Sequence, residues 1–222
     1  MTKKNTLSIE KSYEELIKRF FEWAQGRSDI RTAIVLGSRA RVDHPADEWA
    51  DLDIIIITTD PEQYIARKDW ITNIGKPLLT FIEPTGTGDE KERRVLFERM
   101  LDVDFSIVPN EKAESLLKAA MNPQAVTEIS DLLSRGIRVL IDKDNIVKRM
   151  RSMVTSVEKT PHSRPTRDEF LEVVNDFLYH GVFTTKHLAR GELWWTVSCL
   201  DCYMQRLLLT MMEWHALAIH NW

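Results

Sequence analysis

Cysteine is almost missing from this chain: 222 residues include only Cys199 and Cys202. Their C-x-x-C spacing has no second pair to complete a zinc site. It falls among apolar, helix-forming neighbours, so neither a metal nor a redox role is expected. Long apolar runs are missing too, and none approaches the ~20 residues of a membrane span. The opening MTKKNTLSIEKSYEEL has two lysines with no apolar stretch behind them. That excludes a secretory signal and points to a cytoplasmic protein. A strong charge of one sign is also lacking. Thirty Lys and Arg against 34 Asp and Glu leave a net charge of −4, with both signs interleaved and no basic patch of the kind nucleic-acid binders carry. A polycationic small molecule suits such a chain better as a partner. No repeat or low-complexity tract occurs, and 43% hydrophobic with 29% charged residues is the balance of a globular core rather than of disorder.

The chemistry is concentrated in GSRARVDHPADEWADLD, residues 37–53. Thr32–Leu36 is a short apolar run ending at Gly37, and Ile54–Ile57 is a second. The layout predicts a tight turn after one strand and two carboxylates, Asp51 and Asp53, entering the next. Alternate strand residues share a face, so these two point the same way, with Leu52 turned to the core. Carboxylates on one face repel unless a cation lies between them, and hard oxygen ligands suit Mg²⁺. Gly37 permits close backbone approach to a ligand, and Ser38 offers a hydroxyl and an amide. A helical turn over 38–42 would make these free amides an anion site. Arg39 and Arg41 add forked donors for phosphate oxygens. Phosphate on one side and Mg²⁺ on the other describe a nucleoside triphosphate site, whereas a solvated loop is the plainer reading.

A third acid bears on the reaction. VDFSIV, residues 103–108, reads as a strand with Asp104 on the face opposite Val103 and Phe105. A mid-strand carboxylate is unfavourable in a core, so Asp104 is expected to face a cavity beside Asp51 and Asp53. Three carboxylates can hold two metal ions about 4 Å apart and activate a hydroxyl for in-line attack on phosphorus. Asp102 competes for this position, but with Leu101 it reads as part of the preceding turn.

Gly37-Ser38, Asp51-x-Asp53 and Asp104 match, in order, the signature of the nucleotidyltransferase superfamily that includes DNA polymerase β. The longer stretches GSRARVDHPADEWADLDIII, LFERMLDVDFSIVP, ARGELWW and DCYMQRLLLTMMEWHA resemble the aminoglycoside 6-adenylyltransferases, which inactivate streptomycin. The resemblance runs from the first helix to Trp222. It implies an α+β nucleotidyltransferase domain with a mixed sheet and flanking helices, followed by an all-helical domain. It also implies transfer of AMP from Mg-ATP to an aminoglycoside hydroxyl, most directly of streptomycin, with release of pyrophosphate and antibiotic resistance. Asp51 and Asp53 would bind Mg²⁺, and Asp104 would be general base or third metal ligand. Gly37, Ser38 and Arg39 would hold the triphosphate. Two alternatives stay open: another acceptor, such as a different antibiotic, a protein or a tRNA end, and a non-catalytic nucleotide-binding or antitoxin-like module. Members of the family continue for several further helices, so the helical domain is expected to be incomplete at its C-terminus.

The periodic pattern breaks at VEKTPHSRP, residues 157–165, where two prolines fall. It divides a nucleotidyltransferase domain, 1–157, from a helical substrate-binding domain, 165–222. In the first, Tyr13, Leu16, Ile17, Phe20, Phe21 and Ala24 form a helical stripe, with Ser12 and Glu15 spaced as a capping box. Strands are expected near 31–36, 51–58, 78–82, 94–100 and 103–108, helices near 111–120 and 123–135, an extended stretch at 137–141 and a helix from 144. PTGTGDEKE, residues 84–92, reads as a solvated turn or a loop closing over substrate.

The helical half is expected to form the other wall of the cleft. Lys186 and Arg190, one turn apart, suit a clamp on the β- and γ-phosphates, with a solvated basic face as the plain alternative. Glu192 and Asp201, among Trp194, Trp195 and Tyr203, suit the guanidinium or ammonium groups of an aminoglycoside. Most of the tryptophans are expected in the core. Asp201 is the leading acceptor ligand, because its apolar and small helical neighbours would leave a charge in need of a partner.

Overall fold

The computed structural model describes residues 8–41, 45–84, 91–119, 122–154 and 164–220, with only the backbone at 123 and 124. The N-terminal leader, residues 85–90 of the expected 84–92 turn, most of the 157–165 break and the last two residues lie outside the described residues. The chain divides into two compact units, Met1–Val157 and Glu158–Trp222.

In the first unit the order is α1 (Ile9–Gln25), β1 (Ile30–Leu36), a 3-10 turn (Gly37–Ala40), β2 (Leu52–Thr58), α2 (Pro61–Ile65), a 3-10 turn (Asp69–Asn73) and β3 (Pro77–Pro84). Then come β4 (Lys91–Phe97), β5 (Leu101–Pro109), α3 (Asn110–Lys118), α4 (Pro123–Ser134), β6 (Ile137–Asp142) and α5 (Ile146–Val154). The strands make one sheet in the order β3-β4-β5-β2-β1-β6. Every neighbouring pair is antiparallel except β2 and β5, which run parallel. This is the mixed sheet of the α+β class expected from the sequence.

β2 is strand-forming because its isoleucines are β-branched and fit a pleated surface, and both its faces are covered. Ile54 and Ile56 share a core with Leu16, Ile17 and Phe20 of α1, while Ile57 packs with Ala113, Leu117, Ile129, Ile146 and Met150 of α3, α4 and α5. This second cluster takes from β2 and β5 only Ile55, Ile57 and Val108. On that face the apolar cluster of the described residues covers only the second halves of both strands, and Asp53 and Asp104 stand in the first halves.

Boundaries differ from expectation at α1 and at β4, which also begins early, at Lys91 within the expected 84–92 turn. Ser8, not Ser12, caps α1, its side chain accepting from the Lys11 amide at 3.3 Å. Ser12 lies one turn inside the helix, buried, with its hydroxyl donating to the Ser8 carbonyl at 3.1 Å. The earlier start adds a turn in which Ile9 packs on the core. The strand expected at 94–100 instead ends at Phe97, where Glu98–Met100 turns the chain back with positive φ at Arg99 (69°) and Met100 (60°). Antiparallel pairing of Phe97 with Leu101 forces that reversal within three residues.

The segment from α2 through the second 3-10 turn, which shows no clear period, brings the aromatic centre of the core. Trp70 is 3% exposed; its ring stacks on Trp23 at 5.4 Å and meets Phe105 edge-on at 5.0 Å and Tyr64 at 5.6 Å. Arg93, also buried, ties this segment to the sheet by donating to the Tyr64 carbonyl (2.9 Å), the Ile65 carbonyl and the Thr80 hydroxyl (3.1 Å).

The second unit is all helical: α6 (Arg167–Ala189), α7 (Leu193–Ser198), a π-helical stretch (Cys199–Met204) and α8 (Gln205–Ile219). Thr166 and Glu169 form a reciprocal capping box at the start of α6. The tryptophans depart from the expected core: Trp194 is 83% and Trp195 62% exposed, and Trp214 is half-buried against Phe170. Among the described residues of this unit Cys199 and Met204 are the only buried apolar side chains, because α6 packed on one further helical rod cannot enclose large rings from several sides.

Trp70→Ala should destabilise the first unit by about 3–5 kcal/mol, the usual loss for a large buried aromatic. Urea unfolding followed by circular dichroism measures this, and a loss below about 1 kcal/mol would show that the ring cluster is not central to the core.

Candidate active site

Sheet register assembles the acidic cluster. In the parallel pair Asp53 lies directly beside Asp104, and directly paired residues share a face. Asp51 stands one residue before β2 and is exposed. One carboxylate oxygen from each of Asp51, Asp53 and Asp104 lies within 4.8 Å of the others. Leu36 pairs with Asp53 across β1, so the chain leaves the sheet at Gly37 immediately beside the acids. Gly37 has φ 75°, and a Cβ there would sit 3.3 Å from the Asp53 Oδ2. The conformation thus favours glycine, and a side chain there would crowd Asp53. The helical turn expected at 38–42 is the 3-10 turn Gly37–Ala40, and the Gly37 amide donates to the Gly136 carbonyl at 3.1 Å.

Sequence reasoning missed Arg94. It lies opposite Asp104 in the β4–β5 register. Its guanidinium pairs with Asp104 and reaches Glu83 at 2.6 Å and Glu92 at 3.6 Å. Glu83 and Glu92 face each other across β3 and β4, a like-charge pairing that is unfavourable without a cation between them. The signal was indirect: a mid-strand acid implies a nearby cation, but only the register identifies which one.

Burial and crowding shift the acids. Burial, reinforced by the charges of Asp51 and Glu92, pushes Asp53 up to about 6. Burial also raises Asp104 to about 6, with Arg94 opposing and Asp53 adding to the rise. Three carboxylate oxygens converging with no nitrogen or sulfur donor among the described residues form a hard ligand set that fits Mg²⁺, and a divalent cation would relieve the repulsion that raises both acids.

Arg39, expected on phosphate, is engaged by groups of the protein itself. Its Nε donates to the Asp51 carbonyl at 2.8 Å and its Nη2 to the Ala50 carbonyl, while the guanidinium lies 3.5 Å over the Tyr13 ring. Arg41 lines a polar cavity of about 380 Å³ with Ser134, Gly136 and Arg151, next to the glycine turn. Asp102, the competitor of Asp104, is exposed and accepts from the Tyr13 hydroxyl at 2.8 Å. A groove of about 680 Å³ between α1 and β6 includes none of the three acids, and its Arg138 is paired with Glu14. Converging carboxylates identify the candidate site better than that volume does.

In the helical unit, Lys186 lies in the last turn of α6 and Arg190 caps it. Arg190 and Glu192, assigned to phosphate and acceptor respectively, pair with each other at 2.9 Å, and His187 also bonds Glu192. Trp195 is exposed, its ring 6.1 Å from that of His187. Asp201 is exposed within the π-helical stretch. The α-helical spacing that surrounded it with apolar neighbours does not hold there, so its charge is solvated and needs no partner. Cys199 is buried and Cys202 exposed.

The arrangement in the first unit can hold a divalent cation and a phosphate chain side by side at one end of a sheet. A family model described as streptomycin adenylyltransferase matches residues 10–222, and the chain belongs to that family. It is 27% identical over 217 residues to an aminoglycoside 6-adenylyltransferase of Bacillus subtilis (strain 168), covering 92% of this chain and 69% of that protein. It is 23% identical over 205 residues to an aminoglycoside 6-adenylyltransferase of Staphylococcus aureus, covering 91% of this chain and 68% of that protein. A solved aminoglycoside 6-adenyltransferase from Bacillus subtilis is 21% identical with a TM-score of 0.38, covering 94% of this chain and 67% of that one.

The raised acids predict a pH-dependent stability in the absence of metal. A carboxyl at about 6 when folded, against an ordinary 3.8, binds its proton more tightly in the folded state. Its destabilisation therefore grows as pH rises from about 4 to about 6 and is constant above. Asp53→Asn lacks this effect, so in EDTA its melting temperature should gain on the natural chain across that window. Arg94→Met should have the opposite effect at neutral pH. Calorimetry at about pH 4.5 and about pH 7.5 measures both; a difference for Asp53→Asn that does not change with pH would refute the crowding.

Proposed function

We propose that this chain transfers AMP from Mg-ATP to a hydroxyl of an aminoglycoside, streptomycin first among them, releasing pyrophosphate and thereby conferring resistance. The observation that carries the reading is the pairing of Asp53 with Asp104, with Asp51 completing the cluster within 4.8 Å; family membership supplies the substrate class. Asp51 and Asp53 hold Mg²⁺, which when bound neutralises phosphate charge and orients the α-phosphorus. Asp104 accepts the proton of the acceptor hydroxyl as its oxygen bonds to the α-phosphorus and the bond to pyrophosphate breaks. A carboxyl raised to about 6 is a stronger base than an ordinary one, as this step requires. Gly37 and Ser38 admit the triphosphate, and Arg41 flanks it. The remaining work is positioning and charge neutralisation.

Residues 1–157 form the nucleotidyltransferase domain in this reading and 165–222 the substrate-binding one. Lys186 and the Arg190–Glu192 pair serve phosphate and acceptor ammonium groups. The exposed ring of Trp195 offers a stacking surface, and Asp201 a solvated carboxylate for a guanidinium.

Pyrophosphate release from ATP and Mg²⁺, with and without streptomycin, tests the reading; release should depend on both the metal and the antibiotic. Asp51→Asn or Asp53→Asn should abolish nearly all of it in a folded protein. Asp104→Asn should lower kcat by ~10²–10⁴-fold, the usual contribution of a general base. Release with a different acceptor alone would reassign the substrate, and near-normal turnover in Asp53→Asn at saturating Mg²⁺ would refute the metal assignment.

A further inference from the structure

Asp51 differs from its two partners in how it is held. Asp53 and Asp104 are fixed by strand pairing on both sides, whereas Asp51 precedes β2 and is exposed. Nothing in the sheet register sets its position. The two carbonyl oxygens that flank its Cα, those of Ala50 and Asp51, both accept from Arg39, Nε to Asp51 at 2.8 Å and Nη2 to Ala50. The same guanidinium has its carbon 3.5 Å from the centre of the Tyr13 ring, and the Tyr13 hydroxyl donates to Asp102 at 2.8 Å. Tyr13 itself is 3% exposed, so the ring is an immobile platform. A forked, planar cation is the side chain that can grip two successive carbonyls and stack on an aromatic face at once.

We infer that Arg39 is a positioning residue: it does not bind the nucleotide but fixes the loop that presents Asp51 to the metal, acting through the two carbonyls and anchored by Tyr13 and Asp102. The inference rests on the metal reading of the three acids. Without the fork, Asp51 becomes a tethered carboxylate on a loose loop, and the cluster binds a cation with two fixed ligands and one mobile one. Groups that orient metal ligands usually contribute 10- to 100-fold to metal affinity.

Mn²⁺ binding to the full chain, read by electron paramagnetic resonance without nucleotide, separates the possibilities. Arg39→Met should raise the Mn²⁺ Kd about tenfold or more, while the KM for ATP at saturating metal stays near that of the natural chain. Asp51→Asn should weaken Mn²⁺ too, and adding Arg39→Met to it should weaken binding little further, because the arginine acts through the carboxylate already removed. Arg39→Lys keeps the charge over Tyr13 without the fork. It should fall between the natural chain and Arg39→Met, and it carries the test if Arg39→Met does not fold. Additive losses in the double variant would overturn the inference. So would an unchanged Mn²⁺ Kd with a raised KM for ATP, the outcome expected of a phosphate ligand. Failure of the natural chain to bind Mn²⁺ at all would instead refute the metal reading beneath it.

Discussion

The pairing of β2 with β5 governs this structure. It is the one parallel contact between neighbouring strands in the described sheet, and its register decides that Asp53 meets Asp104 rather than a residue on either side. A slip of one residue would turn Asp104 into the core beneath α1 and bring Val103 or Phe105 to the acidic face. Register is held against such a slip because both faces are specified: Leu52, Ile54, Val103 and Phe105 in one core, Ile57 in the other. The hydrophobic pattern of the two strands is therefore the device that brings the carboxylates together.

That device works against stability. Burial and mutual repulsion raise two of the three acids to about 6, so the folded chain at neutral pH holds charges it would keep more easily unfolded. Arg94 offsets part of this, and Glu83 and Glu92 fix Arg94 in turn. Local conflict of this kind is expected at functional sites. A divalent cation held between the acids would relieve that repulsion and so stabilise the fold.

What the sequence made legible follows from what is local. The Gly-Ser turn, the isoleucine strand, the alternation that places Asp104 opposite Val103 and Phe105, and the helical second half are all short-range patterns, and each appears in the structure. What stayed hidden depends on partners distant in sequence. Arg94 looked like one charge in a charged strand until the register set it against Asp104. Arg39, read as part of a phosphate motif, proved to be held by carbonyls eleven and twelve residues on. The exposure of Asp201 stayed hidden because a π-helical stretch breaks the 3.6-residue period on which its neighbourhood was reckoned. The aromatic cluster around Trp70 was missed because the segment from Pro61 to Asn73 shows no period to read.

The parallel contact also divides the sheet into two pieces: the β1–β2 hairpin, with β6 added on the far side of β1, and the β3–β4–β5 meander. Asp51 and Asp53 belong to the first piece and Asp104 to the second. The acidic cluster thus straddles a seam that closes only when segments some fifty positions apart come together, a slow kind of contact in a folding chain. Neither piece alone carries all three acids. Opening of the seam by a few ångströms would disperse the carboxylates while leaving every hairpin hydrogen bond intact, so loss of the site would precede loss of secondary structure during unfolding.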